Sequence, residues 1–78
     1  MNNISLTDVT IHVDENLTAE QRQAVEAGLR AIDGVVSVHN ADARPHLLLV
    51  EYNPAQTDSG SLLASVTGQG YHAELIGL

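Results

Sequence analysis

Asp8-Val9-Thr10-Ile11-His12-Val13-Asp14, followed at once by Glu15-Asn16-Leu17-Thr18-Ala19-Glu20-Gln21, is the stretch on which the fold turns. Through its first half apolar and polar side chains alternate, with Val9, Ile11 and Val13 on one side and Thr10, His12 and Asp14 on the other. A period of two marks a strand with one buried face. From Leu17 the spacing becomes helical, and Leu17, Ala24, Val25, Gly28, Leu29 and Ile32 form a single apolar stripe. The changeover itself is signalled. Thr18 with Gln21 three residues on is a capping-box pattern, and Glu20 places negative charge where the first helical N–H groups are unpaired. Gly34 is expected to close this helix as its C-cap glycine.

Working outward, Val35–His39 reads as a second, short strand, and Asn40–Pro45 carries the turn residues of a hairpin loop. His46–Tyr52 is the third strand, with Leu48, Val50 and Tyr52 facing inward and Leu47, Leu49 and Glu51 facing outward. Asn53-Pro54 breaks it. Asp58 is the expected N-cap of a second helix whose stripe is Leu62, Leu63 and Val66, weakened at Gly60 and Gly68 by about 1 kcal/mol each relative to alanine. Gly70 ends that helix, and Tyr71–Leu78 supplies the last strand. Strand–helix–strand twice over predicts one α+β domain, residues 1–78, of the ferredoxin-like βαββαβ class. Right-handed crossovers place both helices on one face of a four-stranded antiparallel sheet. The first strand lies between the third and fourth, and the other sheet face stays open.

Composition limits what such a domain can do. Ten carboxylates against three arginines, and no lysine, give a net charge of −7. That surface repels nucleic-acid phosphates and anionic lipid alike. It suits a cation or a basic protein partner. No apolar run is long enough to span a bilayer. Residues 1–8 lack the basic and apolar regions of a signal peptide, so a cytoplasmic location is expected. The absence of cysteine fits a reducing compartment and rules out disulfide support. With only Tyr52 and Tyr71 as aromatic residues, the core must be aliphatic.

Four segments, in order and at consistent distances, carry a family resemblance. Val25-Glu26-Ala27-Gly28-Leu29, Asp33-Gly34-Val35-Val36-Ser37-Val38, Val50-Glu51-Tyr52-Asn53-Pro54 and Gly70-Tyr71-His72-Ala73-Glu74-Leu75-Ile76 together resemble the heavy-metal-associated domain of copper chaperones and metal-pumping ATPases. The likeness runs from about Thr10 to Ile76. In that family a Met-Thr-Cys-x-x-Cys loop joins the first strand to the first helix and grips a soft metal ion with two thiolates. Counted back from Gly34, the two cysteine positions fall on Thr18 and Gln21, and the positions before them on Glu15 and Asn16. Neither threonine nor glutamine offers a thiolate. The resemblance therefore implies a member in which the metal clip has become a helix cap, and in which thiolate transfer of copper cannot operate.

Other residues remain as candidate ligands. His12 and Asp14 on the open face of the first strand, and His72 and Glu74 on the antiparallel fourth strand beside it, are expected to meet in one cluster with Glu15 nearby. Imidazole with carboxylate suits Zn(II), Ni(II) or Cu(II). The alternative is a solvated polar face of cross-strand histidine–acid pairs. His39 and His46 flank the hairpin loop and are read either as a two-histidine clip helped by Asp42 or as exposed strand ends. Leu47, Leu49 and Ile76 make an apolar patch on the open face, a candidate surface for a protein partner or for self-association. Tyr71 is expected to cover the end of the first helix as part of the core. Catalysis has no support, because nucleophile-elbow and phosphate-loop patterns are lacking. The expected function is a small non-enzymatic binding module without the thiolate site, in an accessory or protein-contact role in metal handling. A metal-binding protein with a His/carboxylate site is the second reading.

Overall fold

Val9, Ile11 and Val13 are 3%, 0% and 1% exposed, and the strand that carries them, β1 (Thr7–Val13), is the axis of the sheet. The structure is a computed structural model that describes residues 5–76. After β1 follow α1 (Ala19–Arg30), β2 (Val35–His39), β3 (Leu47–Tyr52), α2 (Ser59–Thr67) and β4 (Ala73–Ile76). The strands form one antiparallel sheet in the order β2-β3-β1-β4, the ferredoxin-like arrangement.

Strand alternation decides which side is dry. Leu48, Val50 and Tyr52 of β3 join Val9, Ile11 and Val13 beneath Val25 and Leu29 of α1 and Leu62 and Val66 of α2. Each fully buried aliphatic side chain among these contributes about 1.5–3 kcal/mol. Tyr71, half-buried, packs against this core as expected. Both helices start where their caps dictate. The Thr18 hydroxyl accepts from the Gln21 N–H while the Gln21 side chain accepts from the Thr18 N–H, and Asp58 accepts from the Ser61 N–H at 2.7 Å.

Several boundaries depart from the sequence reading, each for a local reason. α1 ends at Arg30 with Ala31 as its C-cap, well before Gly34. Tight turns follow, Ile32 N–H to Leu29 O and Val35 N–H to Ile32 O, both 3.1 Å, and they swing Ile32 onto the core. Gly34 is then the pivot into β2, at φ +101°. A Cβ there would lie 2.7 Å from the Gln56 Cβ. Ala24 is exposed rather than part of the buried stripe. Gly68 is the C-cap of α2 and not an interior position, which leaves Gly60 alone inside the helix. β4 begins two residues later than expected, because the His72 N–H is given to the Glu15 carboxylate and not to a neighbouring strand. The expected continuation through Gly77 and Leu78 lies outside the described residues. In β2 the register shifts between Val35 and Ser37, which pushes Val36 out as the extra residue of a bulge and lets Val38 reach the core.

Candidate functional site

The loop between β1 and α1 is where the resemblance places a metal. Here it is closed by hydrogen bonds from both sides. Thr18 and Gln21 are spent on each other, at 3.1 and 2.8 Å. Glu15 reaches across to the segment before β4, where its carboxylate accepts the His72 N–H at 2.9 and 3.0 Å and the His72 Nδ1–H at 2.8 Å. The bond from the imidazole holds the Glu15 carboxyl below its ordinary range, and the same bond, with the carboxylate charge behind it, raises His72. A soft thiophilic ion does not fit this donor set. Hydroxyl and amide oxygens already engaged in a cap replace the thiolates, and no step of metal transfer can be routed through them.

Three of the four expected ligands come together, and His72 does not. Glu74 stands directly opposite His12 in the β1–β4 ladder. His12 Nδ1 lies 2.8 Å from Glu74 Oε1 and 3.1 Å from Asp14 Oδ1. His72 precedes β4, so strand alternation does not aim it at this cluster. Its ring follows its own N–H to Glu15.

The loop histidines also part company. His46 Nδ1 lies 2.7 Å from the Val13 carbonyl oxygen, and its ring stacks on that of His12 with centroids 5.7 Å apart and planes 17° from parallel. A carbonyl can only accept, so His46 Nδ1 carries the proton. His39 pairs with Leu49, three residues beyond His46 on the neighbouring strand, while Asp42 pairs with Arg22 at 3.0 Å. The His12–His46 contact is absent from the sequence reading. The register that pairs His12 with Leu47 across β1 and β3 brings His46 level with Val13, and strand alternation alone would not set its ring beside His12.

The open face has an apolar middle and acidic ends. Pairings across the sheet set His39, Leu49, Thr10 and Ile76 in one row and Leu47, His12 and Glu74 in the next. Leu49 and Ile76 are 42% and 38% exposed. Beside them a shallow depression of about 270 Å³ is lined by Thr10, His39, Ala41, Arg44, Leu47 and Leu49. Asp8 faces Glu51 at one end of this surface, and Asp14 with Glu74 occupies the other.

No family model matches the chain, and no curated protein does. Solved structures do. The N-terminal domain of a potential copper-translocating P-type ATPase from Bacillus subtilis, in its Cu(I)-loaded state, is 25% identical at a TM-score of 0.83, over 94% of this chain and 90% of that one. Oxidised MerP from Ralstonia metallidurans also scores 0.83, at 18% identity, over 94% of this chain and all of that one, 100%. The CopZ metallochaperone scores 0.79 at 22% identity, over 87% and 100% of the two chains. The fold is thus that of the heavy-metal-associated, copper-chaperone-like domains, and this chain carries it without a cysteine. Among the described residues no helix is long and apolar enough to cross a membrane. Mercury-bound MerP, another similar structure, is described as a periplasmic protein.

Proposed function

We propose that the chain is a non-enzymatic binding module that keeps the heavy-metal-associated fold, has given up thiolate metal transfer, and serves metal handling by docking a protein on its open sheet face. The observation that carries this reading is the exposure of Leu49 and Ile76 on either side of Thr10, in the middle of a face otherwise rimmed by Asp8, Glu51, Asp14 and Glu74. Apolar side chains on a solvated sheet gain about 25 cal/mol per Å² when covered. The occupant is a protein segment with apolar side chains between lysines or arginines. A second copy of this chain would bring another −7 against the first, which disfavours self-association. The folds it resembles are described as metallochaperone and metal-binding domains, not catalytic ones, which supports a binding role.

The test is a peptide titration followed by amide shifts. A synthetic peptide alternating leucine and lysine should perturb Thr10, Leu47, Leu49 and Ile76 together. A leucine–glutamate peptide of equal length should not, and Leu49→Glu should abolish the response. Shifts confined to the helices, or a mass that doubles with concentration while the peptide does nothing, would reject the docking face.

A further inference from the structure

Beyond docking, the end of the same sheet face carries a second kind of chemistry. We propose that His12 Nδ1, Asp14 Oδ1 and Glu74 Oε1 form a three-donor site for a borderline divalent cation of the Ni(II), Co(II) or Zn(II) class.

Donor spacing is the first argument. Ligands about 2.1 Å from a metal ion and at right angles to one another stand about 3.0 Å apart, against about 3.4 Å for tetrahedral angles. The observed separations from His12 Nδ1 are 2.8 Å to Glu74 and 3.1 Å to Asp14, and all three donors lie within 4.8 Å of one another. His12 Nδ1 with either carboxylate thus fits neighbouring corners of an octahedron, with the remaining corners left to the other carboxylate and to water. Backbone pairing holds them there. Glu74 is fixed opposite His12 by the β1–β4 ladder, and Asp14 is tied down by its N–H bond to the His72 carbonyl at 2.9 Å.

Charge is the second argument. Among the described residues the guanidinium ion pairs are made elsewhere, Arg22 with Asp42 and Arg30 with Glu26. Among those residues Asp14 and Glu74 share one partner, the His12 imidazole. A divalent ion would neutralise both carboxylates at once. One imidazole with two carboxylates selects against soft Cu(I), which wants sulfur, and the imidazole favours these ions over Mg(II) and Ca(II). His46 acts as a positioning residue. Anchored on the Val13 carbonyl, its ring lies against the face of His12 and limits how far that ring can turn.

The exchange balances without a co-reactant. In the neutral ring Nδ1 holds the proton that binds the carboxylates. On coordination that proton passes to water and Nε2 takes one from water, so the ring stays neutral and changes tautomer.

Calorimetry on the chelator-stripped chain with NiCl2, CoCl2 and ZnCl2 in a non-coordinating buffer tests the site. At least one ion should bind one per chain, and His12→Gln should abolish it. Asp14→Asn and Glu74→Gln should each weaken binding by about tenfold or more. His39→Ala, which lies outside the cluster, should leave it unchanged. Imidazole 15N shifts of the native chain give a readout independent of variant folding: His12 should pass from the Nδ1–H to the Nε2–H form when Zn(II) is added. Absence of binding by all three ions, binding that survives His12→Gln, or a His12 that keeps its Nδ1–H when loaded would overturn the site. Because no partner peptide is present, none of these outcomes touches the docking face, and the peptide titration run in chelator leaves this site untouched.

Discussion

Asn40 does more than any other polar residue to hold the hairpin against the first helix. Its amide donates to the Leu47 carbonyl at 2.7 Å and the Pro45 carbonyl at 3.1 Å, while its oxygen accepts from the Arg22 guanidinium. Asn40→Ala leaves the part-buried Leu47 carbonyl and Arg22 short of partners, and should cost about 1–3 kcal/mol in chemical denaturation. A loss below about 0.5 kcal/mol would mean that water replaces all three bonds. The Glu15–His72 pair makes a prediction in pH. His72 is raised from its ordinary 6.5, so its contribution is complete below that value and fades as pH rises through the higher folded one. Glu15 is lowered from 4.5, so its contribution is complete above that value and fades as pH falls through the lower folded one. The pair should therefore stabilise most between about pH 4.5 and 6.5. Melting curves in chelator should show the native chain gaining on Glu15→Gln inside that window, and two parallel curves would deny the pair any role. At this scale the sequence brought His12, Asp14 and Glu74 together but misplaced His72 and His46. His46 was read with His39, its neighbour across the loop, yet it stacks on His12, 34 positions away in the chain.

At the scale of the elements, the start of α1 is a place where one function can be exchanged for another. Thr18 and Gln21 close a reciprocal cap, worth about 1 kcal/mol on Thr18→Ala. Replacing both with cysteine should trade that cap for binding of Cu(I) or Zn(II) by two thiolates, measurable by competition with a chromophoric chelator. A folded double variant that binds neither ion would show that these positions do not correspond to the family's cysteines. The turn from α1 into β2 depends on Gly34. At φ +101°, with the Gln56 Cβ 2.7 Å from any added methyl group, Gly34→Ala should cost about 1–3 kcal/mol and lower the melting temperature. An unchanged melting temperature would mean that the turn after α1 relaxes freely. Helix starts were legible because caps are local: the hydroxyl and carboxylate acceptors of Thr18 and Asp58 act within three residues. Helix and strand ends were less so. α1 stops where Ile32 must turn onto the core, and β4 starts where Glu15 releases the chain, and both decisions involve residues distant in sequence.

For the molecule as a whole, an aliphatic core and a charge of −7 act against each other. With no lysine and three arginines the surface carboxylates repel through the folded state, and salt screens that repulsion over a Debye length that shrinks from about 30 Å at 0.01 M to about 3 Å at 1 M. The melting temperature should therefore rise with NaCl across that range. A flat or falling curve would show that attractive pairs such as Arg22–Asp42 outweigh the net repulsion.

What the amino-acid order determined without help is the pattern of burial. Alternation in β1 and β3 and the stripes of both helices already name ten of the eleven buried core side chains, because burying apolar surface requires a matching period along the chain. The loss of the thiolate site is equally a property of sequence, since chemistry that needs sulfur cannot be supplied by Thr18 or Gln21. Tertiary structure alone decided the rest. The bulge at Val36 and the division of the histidines into His12 with His46 and His72 with Glu15 follow from strand register, which also sets the spacing within the expected group of Asp14, His12 and Glu74. Register is set by how whole strands seat against the helices, and a shift of one residue would turn every one of those side chains to the other face.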